Sequence, residues 1–335
     1  MGALPMSVAL LALLVTTNNA PSAHAAHPKI SRCFDLAENV RDLFYCLTPF
    51  ICDAFSRTEE QWRTMAPTQT ERTALRTLSK RLLEEPVCDN RLLESLGLAE
   101  HVELYPFKEE FCVLIERNLY NAESHFDDAF ARCWAGFVVR TEREGRRNLH
   151  VSTAHPRLEQ GTLTLAAALL DRAKPLTLST ALGHKWTVNS SSSCQHKYKV
   201  SDPAHSTDTA FHSLQLGIVD YLRETGTFND SLFIQMHGKG VRLKSCLNDT
   251  TFLSAGYNRR APLYALPDAP VNKAADVSGR FIHVEHSWES LSDTNIQRWV
   301  LAVDNLFSSS ARLVNAPRAL LGSALLWLLR HYTRH

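Results

Sequence analysis

The chain has 335 residues, with Lys+Arg 36 against Asp+Glu 35 and a formal charge of +1. No sign-biased field therefore recommends nucleic acid or an anionic membrane as a partner. Its 44% hydrophobic and 21% charged content excludes wholesale disorder and a multi-span membrane protein, and the length predicts one large folded unit plus a smaller one.

In chain order, residues 1–25 read as a signal peptide. An apolar run from Val8 to Val15 precedes polar Thr16 to Asn19 and then Ser22-Ala23-His24-Ala25-Ala26, with Ala23-x-Ala25 as the cleavage site. The run is shorter than the roughly 20 residues a bilayer core needs. Eight cysteines without a CxxC pair suit an oxidising compartment. Cys33, Cys46, Cys52, Cys88, Cys112 and Cys133 precede Trp134, and Cys194 and Cys246 follow it. The simplest partition puts three bridges in the first group and one, Cys194 to Cys246, in the second. Sequons at Asn189, Asn229 and Asn248 mark glycan acceptors on surface loops of a secreted chain.

From residue 26 to 133 apolar residues recur at helical spacing, as in Leu75, Leu78, Leu82 and Leu83, then Phe111, Val113, Leu114 and Leu119. Pro49, Pro67, Pro86 and Pro106 interrupt the pattern, which predicts a small disulfide-rich helical region of short pieces. At Trp134 the pattern changes. Gly136 to Arg140 and Asn148 to Ser152 are strand-like around a turn at Glu144-Gly145, which predicts a hairpin feeding a sheet. Helix at Thr162 to Ala173, strand at Leu176 to Ala181 and a long helix at Thr207 to Arg223 follow. Strands at Leu232 to Met236, Thr251 to Ser254 and Phe281 to Val284 come next, then a helix at Asp293 to Phe307. This alternation over 134–310 predicts an α/β fold, a mixed sheet with helices on both faces. The tail, 311–335, is apolar from Ala319 to Leu329 and ends in basic residues. It reads as a docking helix, too short for a stable membrane span, and its basic end speaks against a lipid-anchor signal.

Three strand ends in the second unit carry metal-type or acid–base side chains. His155-Pro156-Arg157-Leu158-Glu159 follows the strand ending at Ser152, and Pro156 keeps His155 out of a helix interior so that His155 and Glu159 can converge across a loop. Phe233 to Met236 runs into His237-Gly238, and Phe281 to Val284 runs into Glu285. Ligand sites in α/β folds lie at such carboxyl ends. Zinc suits the set, because a catalytic zinc takes three protein ligands from His and Glu and leaves a fourth position to water. His155, Glu159 and His237 would be the ligands and Glu285 the general base.

A second group lies between the ligands: Gly183-His184-Lys185, Ser193-Cys194-Gln195 and Asp202-Pro203-Ala204-His205. Lys185 and His205 are candidates for holding a substrate carboxylate or steadying an oxyanion, with His184 beside them. Asp202 also has the look of an N-terminal cap ahead of the helix at Thr207. A Cys194–Cys246 bridge would tie the loop after His184 to the segment after His237. Arg259 and Arg260 are a possible carboxylate clamp.

The order His…Glu, then a strand-ending His, then a late strand-ending Glu resembles the zinc exopeptidase superfamily, which includes metallocarboxypeptidases and the N-formylglutamate and poly-gamma-glutamate amidohydrolases. The resemblance covers Trp134 to Phe307. It implies a zinc-peptidase-like fold and a small peptide or amide-containing substrate. By that resemblance His155 and Glu159 match the first ligand pair, His237 the last ligand and Glu285 the catalytic glutamate. The chain departs from the common carboxypeptidase pattern in spacing the first pair as H-x-x-x-E instead of H-x-x-E. It also has Gly238 after the last histidine where serine is usual. A phosphoester hydrolase is a rival reading, but no Arg-His-Gly triplet and no G-x-x-x-x-G-K loop occur, and the chain lacks the G-x-S-x-G elbow of serine hydrolases. A secreted non-catalytic binding protein on a degenerate hydrolase scaffold is the alternative from another class.

Overall fold

A computed structural model of the chain describes residues 28–52, 57–119, 131–142, 147–192, 198–238, 254–256, 281–286, 291 and 293–309. The leader, Cys194, Cys246, Asn248, Arg259, Arg260 and the C-terminal tail lie outside the described residues.

The N-terminal part begins with helices whose ends are written in the sequence. Helix α1, Pro28–Leu36, opens on a proline that needs no N–H there, and Asn39 caps α2, Val40–Leu47, by accepting from Asp42 N at 2.9 Å. Thr58 with Gln61 and Thr68 with Glu71 form reciprocal capping boxes that start α3, Glu59–Met65, and α4, Gln69–Glu84. The predicted stripe Leu75, Leu78, Leu82 and Leu83 is the buried face of α4. A short α5, Arg91–Ser95, follows.

The helical reading does not extend past this point. Val102–Phe107 and Phe111–Glu116 are strands β1 and β2, paired antiparallel from Val102↔Glu116 to Phe107↔Phe111. Every residue of β2 is buried, and an apolar run covered on both faces has no alternation to separate strand from helix. The tight turn between the strands puts Lys108 and Glu109 at φ 51 and 59, so no glycine or asparagine marks it as a hairpin.

The remaining strands are β3, Ala135–Arg140; β4, Arg147–Thr153; β5, Pro175–Ala181; β6, Leu232–Gly238; β7, Ser254–Gly256; and β8, Phe281–His286. They form one eight-stranded sheet in the order β1-β2-β3-β5-β4-β6-β8-β7. The sheet is mixed: β4, β5, β6 and β8 run parallel, while β1, β2, β3 and β7 join antiparallel. The expected β3–β4 hairpin is therefore corrected, because β5 lies between them, antiparallel to β3 and parallel to β4. Only pairing between segments distant in sequence could reveal that insertion.

Helices cover both faces, as expected. Alternate strand residues separate into two cores, as the period of 2 along a strand requires. On one face Val138, Val151, Leu178 and Ile234 pack with α2, with α6, Thr162–Arg172, and with α8, Asp293–Ser309. On the other, Phe137, Val139, Leu176 and Phe233 pack with α4 and with α7, Ala210–Glu224. The α4–α7 crossing is close because Gly217 has no side chain: a Cβ there would lie 2.0 Å from Ser79 Oγ and 2.1 Å from the Arg76 carbonyl oxygen. Ion pairs flank the crossing, Arg76 donating to both carboxylate oxygens of Asp220 from its Nε and Nη2 and Lys80 meeting Glu224 at 2.6 Å.

The six early cysteines pair among themselves, as the partition requires: Cys33–Cys46, Cys52–Cys133 and Cys88–Cys112. The last staples the segment after α4 to β2. Three disulfides fit an oxidising compartment, and no helix among the described residues is long and apolar enough to cross a membrane.

Candidate metal centre

Parallel strands β4, β6 and β8 end at one edge of the sheet. Thr153 pairs with Met236, so His155 leaves β4 close to where His237 ends the apolar run of β6. The backbone of Glu285 pairs with that of His237. After β4 the chain makes a single α-turn, with Glu159 N donating to His155 O at 2.9 Å. An i,i+4 pair on such a turn faces the same way, and this is how the H-x-x-x-E spacing brings both side chains together.

His155, Glu159 and His237 each offer one ligand atom, and these atoms all lie within 4.8 Å of one another. Both imidazoles are buried, and their rings stand edge to face with centroids 5.1 Å apart. The Glu159 carboxylate sits between them, its Oε1 3.0 Å from His155 Nδ1 and its Oε2 3.1 Å from His237 Nδ1. On the outer side, His155 Nε2 donates to Asp202 Oδ1 at 2.8 Å and His237 Nε2 donates to Gln235 Oε1 at 2.9 Å. Holding the outer N–H of a ring on an oxygen acceptor fixes the tautomer and turns the other nitrogen inward as a ligand.

A carboxylate only accepts, so each inward Nδ1 needs a positive carrier between itself and Glu159. A proton on each ring or one shared cation meets that need. Burial works against charge on His155 and Glu159, but their hydrogen bonds win: the His155 pKa is raised by Asp202 and Glu159, and that of Glu159 is driven well below the carboxylate range by the two histidines. Asp202 is likewise lowered, burial being outweighed by its bond to His155. Two nitrogens, one carboxylate and two outer acceptors make a group that could hold a metal ion, and these residues fit one.

Gly238 completes the arrangement. Its N–H donates to Glu159 Oε2 at 3.0 Å, and a Cβ there would lie 2.9 Å from Glu159 Cβ. The turn from His155 to Glu159 thus carries the Glu159 stalk over residue 238, and glycine leaves room for it.

Lys185 reaches the cluster, its Nζ 3.8 Å from Glu159 Oε1. His205 lies flat on Tyr198, ring centroids 3.4 Å apart. Burial pushes the pKa of His205 down to about 4; Asp202 opposes this, while His155, His237 and Lys185 add to it. His205 is therefore neutral at pH 7 and can act as a hydrogen-bond donor or acceptor. His184 is buried and its Nδ1 accepts from Trp186 N at 3.1 Å, which makes it a brace of the loop that carries Lys185. Of the sequons, Asn189 and Asn229 are exposed.

Asp202 is not the helix cap. Thr209 caps α7 by accepting from His212 N at 3.2 Å, which frees Asp202 for His155 and for Ala204 N at 3.0 Å. Sequence reasoning also passes over Gln235, although its signal is present: a polar residue two before His237 on an apolar strand shares its face.

No protein-family model, curated protein or solved structure matches this chain. What it does must be read from these side chains.

Proposed function

We propose that the chain is a secreted, zinc-dependent hydrolase of an amide or peptide bond. The observation that carries the reading is the pair of buried histidines meeting Glu159 with Nδ1 inward and Nε2 held by Asp202 and Gln235. His155, Glu159 and His237 would hold the ion, since two imidazoles and a carboxylate are a donor set that catalytic zinc takes with one position left to water. Zinc, when bound, supplies Lewis acidity toward a carbonyl oxygen and acidifies water to a pKa of about 7.

The chain's own groups do the rest. Asp202 and Gln235 keep the rings from rotating, and Gly238 N–H with Lys185 Nζ orients Glu159. Glu285, whose backbone pairs with that of His237, is the proposed general base that takes the proton of the attacking water and passes it to the leaving nitrogen. Lys185 and His205 border the cluster and are proposed to bind a substrate anion or the negative charge that develops on the carbonyl oxygen. Secretion is supported by three disulfides and by the leader pattern; glycans would occupy exposed Asn189 and Asn229.

The test is hydrolysis of a panel of N-acyl amino acids and short peptides by the zinc-loaded protein and by Glu285→Gln, with metal content measured on both. The expected result is retained metal and a turnover loss of at least about 100-fold. Equal turnover in Glu285→Gln, or cleavage of p-nitrophenyl phosphate in preference to every amide, would sink the proposal.

A further inference from the structure

Among the described residues, the large apolar side chains left exposed are Leu36, Tyr45, Val87 and Trp186. Trp186 alone follows a strand end of the candidate site, in the loop that leaves β5. It is 60% exposed, yet the backbone around it is fixed at every step. Cys52 N donates to Leu182 O at 3.1 Å and Arg57 N to Thr187 O at 2.7 Å. Ser201 Oγ donates to Lys185 O at 3.0 Å, Thr187 Oγ1 donates to His184 O at 2.7 Å, and Trp186's own N–H goes to His184 Nδ1 at 3.1 Å. The first of these partners is itself anchored by the Cys52–Cys133 bridge. A mobile loop would let such a ring fold away from water; this loop holds it out.

The ring also has defined neighbours. Lys185 Nζ lies 5.5 Å from its centroid and 3.8 Å from Glu159 Oε1, so one side chain's reach separates the indole from the candidate ligand. The His184 ring stands 5.6 Å from it, tilted by 57°, and with both neighbours in place the residue still keeps most of its surface open to solvent.

We infer that Trp186 is the specificity-determining residue of this site, a rigid platform for a flat apolar group carried by the substrate beside the bond to be cleaved. The substrate class is then an amide bearing an aromatic or comparably flat apolar group. The inference rests on reading His155, Glu159 and His237 as a hydrolytic centre, but the platform itself can be measured without turnover.

The test is calorimetric binding of a product-like pair, 3-phenylpropanoate and butanoate, to the full chain and to Trp186→Ala and Trp186→Phe. Metal content and amide hydrolysis are followed on the same samples. Wild type is expected to prefer the phenyl ligand by at least about tenfold. Trp186→Ala should lose most of that preference, Trp186→Phe should keep most of it, and metal content should stay equal in all three. An unchanged preference in Trp186→Ala, or no preference or no binding in wild type, overturns the inference. Failure of the hydrolytic reading has a different signature: no amide is cleaved while the preference still follows residue 186.

Discussion

Replacing Gly238 by alanine tests the geometry of the candidate metal centre where Glu159 crosses over residue 238. The added Cβ would stand 2.9 Å from Glu159 Cβ and 3.2 Å from both its Cα and Cγ. Ordinary carbon contact begins near 3.4 Å, so the glutamate must retreat by at least about 0.5 Å. Metal–ligand distances tolerate only about 0.2 Å. The retreat also stretches the bond from Gly238 N to Glu159 Oε2, now 3.0 Å. Metal affinity should fall by about 10- to 100-fold, and the metal-free fold should lose about 1–3 kcal/mol to overpacking. Competition with a chromophoric chelator reads the first quantity and urea unfolding in a chelator reads the second. A Gly238→Ala protein that binds metal as tightly as wild type would show that the Glu159 carboxylate is not a ligand in this position.

Asp202→Ala should weaken metal binding by about 10- to 100-fold without touching a ligand, because His155 Nε2 loses the acceptor at 2.8 Å that fixes its tautomer; an unchanged chelator titration would refute the role. His150 is buried in β4 against Phe233, and burial depresses its pKa from the usual 6.5 to about 3. The unfolded chain thus binds a proton below 6.5 that the folded one refuses, so the stability His150 contributes is complete above 6.5 and is lost as the pH falls toward 3. Between pH 6.5 and 5 the loss is about 2 kcal/mol, and urea unfolding of His150→Gln should show a correspondingly shallower acid limb; identical limbs would contradict the assignment. Gly217→Ala should destabilise by about 1–3 kcal/mol or more, since its Cβ meets Ser79 Oγ and the Arg76 carbonyl across the α4–α7 crossing. A melting temperature equal to wild type would mean that the crossing is looser than these contacts require.

Much of the fold and of the candidate metal centre is legible in the residues themselves. The strand that leads to His155 and the apolar run that leads into His237 are visible locally, and the caps of α3 and α4 are local patterns that tertiary contacts have no reason to override. Four features are not legible, each for a physical reason. The β1–β2 hairpin is hidden because Lys108 and Glu109 adopt the left-handed turn without a glycine to announce it, and because β2 is buried on both faces. The position of β5 between β3 and β4 is a property of pairing across the sheet, which no local pattern encodes. Asp202 satisfies the local rule for a cap, and only the arrival of His155 from 47 residues away reveals its use. The six early cysteines can be assigned to one group, but which partners they take depends on how α1, α2 and β2 are brought together.

The most direct measurement is anomalous diffraction at the zinc edge from crystals of the purified protein. One strong peak is predicted, about 2.0–2.2 Å from His155 Nδ1, His237 Nδ1 and a Glu159 carboxylate oxygen, and absent from His237→Ala crystals grown in the same way. A zinc-soaked crystal with no peak between those three side chains, or with its peak on other residues, would contradict the account.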